Sequence, residues 1–257
     1  MADARDRACV QTCGGAWRLV VFFTRPRLCA TLAGGLVASA CATAPPLRHQ
    51  ECYNADAQLA EVLQPLEALR AEGCDAGVVH GGSSECERLR REVERLVVVC
   101  PGHAPTLMAN AVIAYDGHRP VQSQQFLDQI LAQSRTYPDA AVLRAQIAIE
   151  DGNVPFARRL LEQQIKLAPD HAGLHETYGA TLYLGGQLPE ARRELTMAGA
   201  LGAPRWRVAY HLGLVEEASG RPDEAGRYYS EALEANPGWA PAQSRLKALR
   251  VKDGTAR

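Results

Sequence analysis

Aromatic residues are scarce in this chain, at 6% of 257 positions. No run of apolar residues is long enough to make a membrane-spanning helix, which needs about 20. The formal net charge is only −1, so neither nucleic acid nor an acidic surface is indicated as a partner. No glycine loop of the phosphate-binding kind and no G-x-S-x-G nucleophile elbow occurs. His80-Gly81-Gly82-Ser83 superficially matches an esterase oxyanion loop, but no strand pattern precedes it. Nucleotide hydrolysis and serine-hydrolase chemistry therefore have no sequence support. What is abundant is Ala, Leu, Arg and Glu, a composition that predicts an all-α protein of one sizeable domain or two small ones.

The clearest pattern lies at 205–239, RWRVAYHLGLVEEASGRPDEAGRYYSEALEANPGW. Val208, Leu212 and Val215 recur at helical spacing around Gly213. Glycine in a helix interior costs about 1 kcal/mol against alanine, so Gly213 predicts another backbone packed closely against it. Gly220-Arg221-Pro222-Asp223 reads as a C-cap glycine and a new helix start. The second helix carries Ala225, Tyr229, Ala232 and Leu233 on one face and ends before Pro237.

The unit repeats. From the turn glycine, Ala falls at +5, Tyr229 at +9, Ala232 at +12 and Pro237 at +17. Gly186 is followed by Ala191, Leu195, Ala198 and, at +18, Pro204; Gly152 by Ala157, Leu161, Gln164 and Pro169. Both glycine intervals are 34. Gly117 lies 35 before Gly152, with Gln122, Phe126 and Gln129 in the three positions and Pro138 four residues late. That spacing predicts a second helix one turn longer there and a shortened first helix in the next repeat. The pattern resembles the tetratricopeptide repeat, a 34-residue helix–turn–helix unit that stacks into a solenoid. A helical bundle with fortuitous spacing would not hold the period over three units.

The resemblance covers four repeats over 102–237, and APAQSRLKALR then supplies a capping helix at 238–251, leaving a tail at 252–257. Residues 51–101 read as a degenerate helical repeat. Its first helix carries Leu59, Val62, Leu63, Leu66 and Leu69 on one face, with a kink expected at Pro65. Its second begins at a Ser83 or Ser84 cap and carries Leu89, Val93, Leu96 and Val97.

The first 40 residues differ. Arg25 and Arg27 precede LCATLAGGLVASA, the layout of a secretory signal: a basic region, a short apolar region and small residues at the cleavage site. Leu36–Cys41 is similar to the lipobox of bacterial lipoproteins, which implies acylation of Cys41. Ala38 stands where that family prefers Leu, so ordinary cleavage after Ala40 or Ala42 is the rival. Residues 41–50 would form a tether. Loss of residues 1–40 removes five basic and two acidic groups and leaves a net charge of −4. The resemblance implies a bacterial envelope location at the outer membrane facing the periplasm, with membrane contact only through the lipid.

Cys52, Cys74, Cys86 and Cys100 are even in number, which in an exported chain predicts two disulfides. Cys86 and Cys100 bracket one helix, about 21 Å apart, so they cannot pair. Cys74–Cys86 with Cys52–Cys100 is preferred of the remaining sets, because the first closes a short loop. A metal site with His80 and His103 is the competing reading, though the spacing matches no zinc pattern. His171 and His175, with Glu176, could similarly hold a metal on one helix face, against the simpler reading of surface histidines at a helix start. No cofactor is expected.

In tetratricopeptide arrays the first helix of each repeat lines the concave face. Carried onto this chain, that resemblance selects Leu107, Ala111 and Tyr115, then Gln146 and Ile149. Glu176, Ala180, Tyr183 and Leu184 follow, and finally Arg207, Tyr210, Leu214 and Glu217. Such a groove suits an amphipathic helix or extended apolar segment of another protein, anchored on tyrosines and oriented by Arg207 and Glu176. The expected function is a non-catalytic scaffold or adaptor, such as the pilotins that escort secretin subunits. A soluble periplasmic binding module is the alternative, and a metal-dependent enzyme a remote one.

Overall fold

The computed structural model describes residues 52–72 and 84–255. The signal segment, Cys41, the tether and Cys74 lie outside the described residues. A 3-10 turn at Cys52–Asn54 leads into eleven helices among the described residues. They are α1 (Ala55–Glu72), α2 (Glu85–Val99), α3 (Ala104–Asp116), α4 (Pro120–Gln133), α5 (Pro138–Glu150) and α6 (Val154–Ile165). Then come α7 (Ala172–Leu184), α8 (Leu188–Ala200), α9 (Arg205–Ala218), α10 (Pro222–Ala235) and α11 (Ala240–Thr255).

The helices pack as consecutive antiparallel pairs, α3/α4, α5/α6, α7/α8 and α9/α10, and one rule builds each pair. The first helix ends in a residue with positive φ: Gly152 (75°), Gly186 (74°) and Gly220 (72°). The next residue's N–H returns to a carbonyl five back, as Asn153 does to Ala148 (2.7 Å), Gln187 to Leu182 (2.9 Å) and Arg221 to Glu216 (3.0 Å). This is the Schellman closure, and it satisfies carbonyls the helix end would otherwise leave unpaired. Proline at the start of the following helix costs nothing, since its N–H would be unbonded there anyway.

In the first pair the same position is held by His118 (φ 56°), with Arg119 N–H bonded to Ala114 O at 2.8 Å. The turn therefore falls at 118, not Gly117, and the interval to Gly152 is 34 like the others. Counted from His118, positions +5, +9 and +12 are Ser123, Leu127 and Ile130, all fully buried. The register read from Gly117 was one residue early. No helix is shortened downstream: α5 has 13 residues, as do α3 and α7, and Pro138 opens it.

The pair interiors follow from residue size. Seven residues before the turn stand Ala111, Ala145, Gly179 and Gly213; nine after it stand Leu127, Leu161, Leu195 and Tyr229. The small residue makes room for the large one. A Cβ on Gly213 would lie 2.5 Å from Tyr229 Cε1, so what crowds Gly213 is an aromatic ring rather than the backbone expected.

The N-terminal pair is stapled. Ser84 caps α2, its hydroxyl accepting from Glu87 N–H at 3.2 Å, and α1 continues through Pro65. Leu59, Leu66, Leu89, Val93 and Leu96 form the core between α1 and α2, joined by Ile113 of α3. Cys52 is disulfide-bonded to Cys100, with Cα atoms 5.4 Å apart. Cys86 is also disulfide-bonded and fully buried. At the other end α11 covers α10, burying Ala242 and Leu249, and runs on to Thr255 through residues expected to be a tail. VKDG holds no proline to stop it.

Candidate partner-binding groove

The 34-residue period sets α3, α5, α7 and α9 side by side, so equivalent positions of successive first helices meet on one face. A cavity of about 490 Å³ opens there, lined from these four helices and from Trp239, which precedes α11. Tyr115, Gln146, Ile149, Glu176, Ala180, Arg207 and Tyr210, all selected from sequence, line it.

The other selected positions sit elsewhere. Leu107 and Ala111 are fully buried in the α3/α4/α5 core, because the register from Gly117 turned them inward. From His118 the equivalent positions are Met108 and Val112, both partly buried. Tyr183 packs partly buried against the α7/α8/α9 core, and Leu184 is exposed away from the cavity. Leu214 rests on the Ala225, Tyr229 and Leu249 cluster. Glu217 accepts from the Tyr229 hydroxyl at 2.8 Å and pairs with Arg245 of α11 at 3.5 Å, so the capping helix occupies the last positions of the face.

Arg207 and Glu176 do not stand free to orient a partner. Arg207 Nε donates to Glu176 Oε1 at 2.7 Å and Nη2 to Oε2 at 2.5 Å, a bidentate pair that locks both planes. Glu176 is 2% exposed. Neighbouring first helices bring the two together, at −10 in one repeat and −13 in the next. His211 Nδ1 lies 3.6 Å from the same carboxylate, too long for a hydrogen bond. Burial, and then the Arg207 cation, push the His211 ring down to about 4, so it is neutral at pH 7.

Two features frame that central pair. On one side the Tyr115 hydroxyl donates to Glu150 across α3 and α5, and burial together with that carboxylate pushes the phenol up to about 12. On the other stands an aromatic wall. The Trp206 and Trp239 rings lie 4.6 Å apart and tilted, and Tyr210 meets Trp239 edge-on at 6.1 Å. Neither tryptophan was selected from sequence. Trp206 stands one residue before Arg207 in the first turn of α9, and Trp239 lies in the connection after the last repeat. The available signal was compositional: two of only three tryptophans flank the final repeat.

The residues of the metal alternatives are separately engaged. His171 caps α7, accepting from Leu174 N–H at 3.3 Å, and lies 3.1 Å from Asp139. His175 is buried rather than at the surface, held by Glu194 and the Pro169 carbonyl, each at 2.7 Å. Glu176 belongs to Arg207. His103 is bonded to Thr106 and Asp56, while the nearby Cys52, Cys86 and Cys100 are all in disulfides; His80 lies outside the described residues.

No protein-family model matches the chain, and no curated protein matches its sequence. Solved structures do match. A thermophilic TPR protein of Thermus thermophilus is 19% identical, with a TM-score of 0.61 over 75% of this chain and 99% of that one. The fold is a tetratricopeptide-repeat solenoid. A TPR protein from Parabacteroides merdae aligns at 15% identity and TM-score 0.59, covering 75% of this chain and 71% of its own. The Cut9–Hcn1 hetero-tetramer of APC/C aligns at 12% identity and TM-score 0.65, over 81% of this chain and 40% of that one. Likenesses this remote show the tetratricopeptide fold, and the partner has to be argued from the groove.

Proposed function

We propose that this protein is a non-catalytic scaffold that holds a segment of another protein in the groove of α3, α5, α7 and α9. One observation carries the reading: partly open aromatic rings at Trp206, Tyr210 and Trp239 line a cavity in which the central charges already neutralise each other. Aromatic anchors in a concave site supply large contact area at low entropic cost, which is how protein interfaces concentrate their energy. An apolar or amphipathic segment fits such a wall, with Trp206 and Trp239 as anchors in place of Tyr183.

The signal-like segment and Cys41 support a scaffold of the bacterial envelope, a lipoprotein that helps to assemble an envelope complex in the manner of a pilotin. Ala38 in the lipobox favours a second reading, a soluble periplasmic module cut by the ordinary signal peptidase. Intact mass of the membrane-extracted protein separates these, since a triacylated Cys41 is required by the first and absent in the second. Crosslinking in the native envelope tests the groove. The partner crosslinked to wild type should be lost from a Trp206→Ala/Tyr210→Ala variant that melts at nearly the wild-type temperature. Retention of that partner by the folded variant would sink the groove reading.

A further inference from the structure

The charges left over in the groove name the chemistry of its occupant. Glu176 is neutralised by Arg207, and His211 carries no charge at pH 7. Glu150 is different. Its carboxylate accepts the Tyr115 hydroxyl and pairs with no cation among the described residues. A second cavity, of about 590 Å³, shares Tyr115 and Glu150 at the same end of the face. The lining of the main cavity thus holds two carboxylates against one guanidinium, and that guanidinium is already bonded to Glu176 at two of its three nitrogens.

We propose that the bound segment carries a lysine or arginine beside its apolar residues, the cation pairing with the Glu150 carboxylate while the apolar residues lie on the aromatic wall of Trp206, Tyr210 and Trp239. This rests on the groove being the partner site. An acidic segment would enter a lining that holds one carboxylate more than it holds cations, with Arg207 already neutralised by Glu176. A purely apolar segment would cover Glu150 with only the Tyr115 hydroxyl to compensate its charge, and burying a carboxylate without a cation is costly. A segment with both kinds of residue meets both surfaces: its cation the Glu150 carboxylate by charge-assisted hydrogen bonding, its apolar residues the indoles and phenol by burial.

The test uses the full-length chain and twelve-residue peptides selected on it from a random phage-displayed library. The strongest peptide is synthesised with its lysine or arginine intact and with norleucine in its place, and both are titrated by calorimetry. Binders rich in Lys or Arg are expected, with a tenfold or greater loss on the norleucine change in wild type and little further loss in Glu150→Gln. Glu150 is exposed, so that variant should melt as wild type does. Peptides that need Trp206, judged with a folded Trp206→Leu variant, but bind equally with norleucine or are acidic would overturn the cation and leave the groove reading intact. An absence of Trp206-dependent peptides would overturn both. Phosphatidylcholine vesicles are titrated in parallel. Groove-dependent binding of vesicles without peptides would assign the cation to a lipid headgroup and defeat the proposal.

Discussion

The ring of Tyr229 occupies the space that a side chain on Gly213 would need. A Cβ there would sit 2.5 Å from Cε1 and 2.6 Å from Cδ1, closer than carbon atoms approach. Tyr229 is fully buried and its hydroxyl donates to Glu217, so the ring is held at both ends. Gly213→Ala should therefore destabilise by about 1–3 kcal/mol through overpacking, despite a helix-propensity gain of about 1 kcal/mol. Alanine coexists with leucine at the equivalent pairs Ala111–Leu127 and Ala145–Leu161. A Gly213→Ala/Tyr229→Leu double variant should accordingly be more stable than the sum of the singles by urea denaturation. Strict additivity would show that the ring is not the obstacle.

His118 is the one non-glycine residue with positive φ among the described residues. The left-handed region costs an L-residue about 1–2 kcal/mol, part of which glycine gives back through its freer unfolded chain. His118→Gly should raise stability by about 0.5–1 kcal/mol, read as a higher melting temperature. A fall would mean that the imidazole makes a contact worth more than the strain.

That histidine also explains which parts of the site were legible. Gly152, Gly186 and Gly220 announced their turns because glycine is the usual occupant of left-handed backbone. His118 gave no such sign, and counting from Gly117 moved two groove positions onto the buried Leu107 and Ala111. Tyr115, two residues before Gly117 and three before His118, lines the groove although the register moved by one. Helices and cores were readable since burial follows period. Trp206 and Trp239 were not, because no periodic rule governs the first turn of a helix or a connecting segment. The Arg207–Glu176 pair was likewise hidden: each residue was placed on the face, but which side chains meet there depends on the spacing between helices.

Glu216 is fully buried at a position where the preceding repeats hold Ala114, Ala148 and Leu182. It is paired with Arg192 of α8 and with Arg221, whose Nε lies at 2.5 Å. The two arginines are nearly half exposed and can turn to water; the carboxylate cannot. Removing both cations, as Arg192→Ala/Arg221→Ala, should cost about 3–5 kcal/mol because it strands a buried charge. Glu216→Leu should be near neutral or stabilising, since it restores the residue of the repeat before. Chemical denaturation of the two variants side by side checks this, and equal losses would contradict it.

The Cys52–Cys100 bridge closes a 48-residue separation around the α1/α2 pair. A loop of that length restricts the unfolded chain by about 4 kcal/mol in the chain-entropy account. Cys52→Ser should lower stability by about 2–4 kcal/mol, with hydrogen exchange rising most in α1 and α2. Exchange rising uniformly through α10 would show instead that the solenoid unfolds as one unit.

The last expectation concerns acid. His211 has its ring pushed down to about 4 in the folded chain, by burial and by Arg207, against about 6.5 for an unfolded histidine. Between those values the unfolded chain binds a proton that the folded chain refuses. Stability contributed by neutral His211 is therefore complete above about pH 6.5 and lost progressively as pH falls toward 4, by at most about 3 kcal/mol. Carboxylates titrate in the lower part of the same window, so the measurement must be a difference. Unfolding free energies of wild type and His211→Gln, taken from about pH 7.5 to about pH 4, should converge as pH falls, the variant losing less. Parallel curves would show that the imidazole titrates alike in both states, and that Glu176, 3.6 Å away, compensates the buried cation.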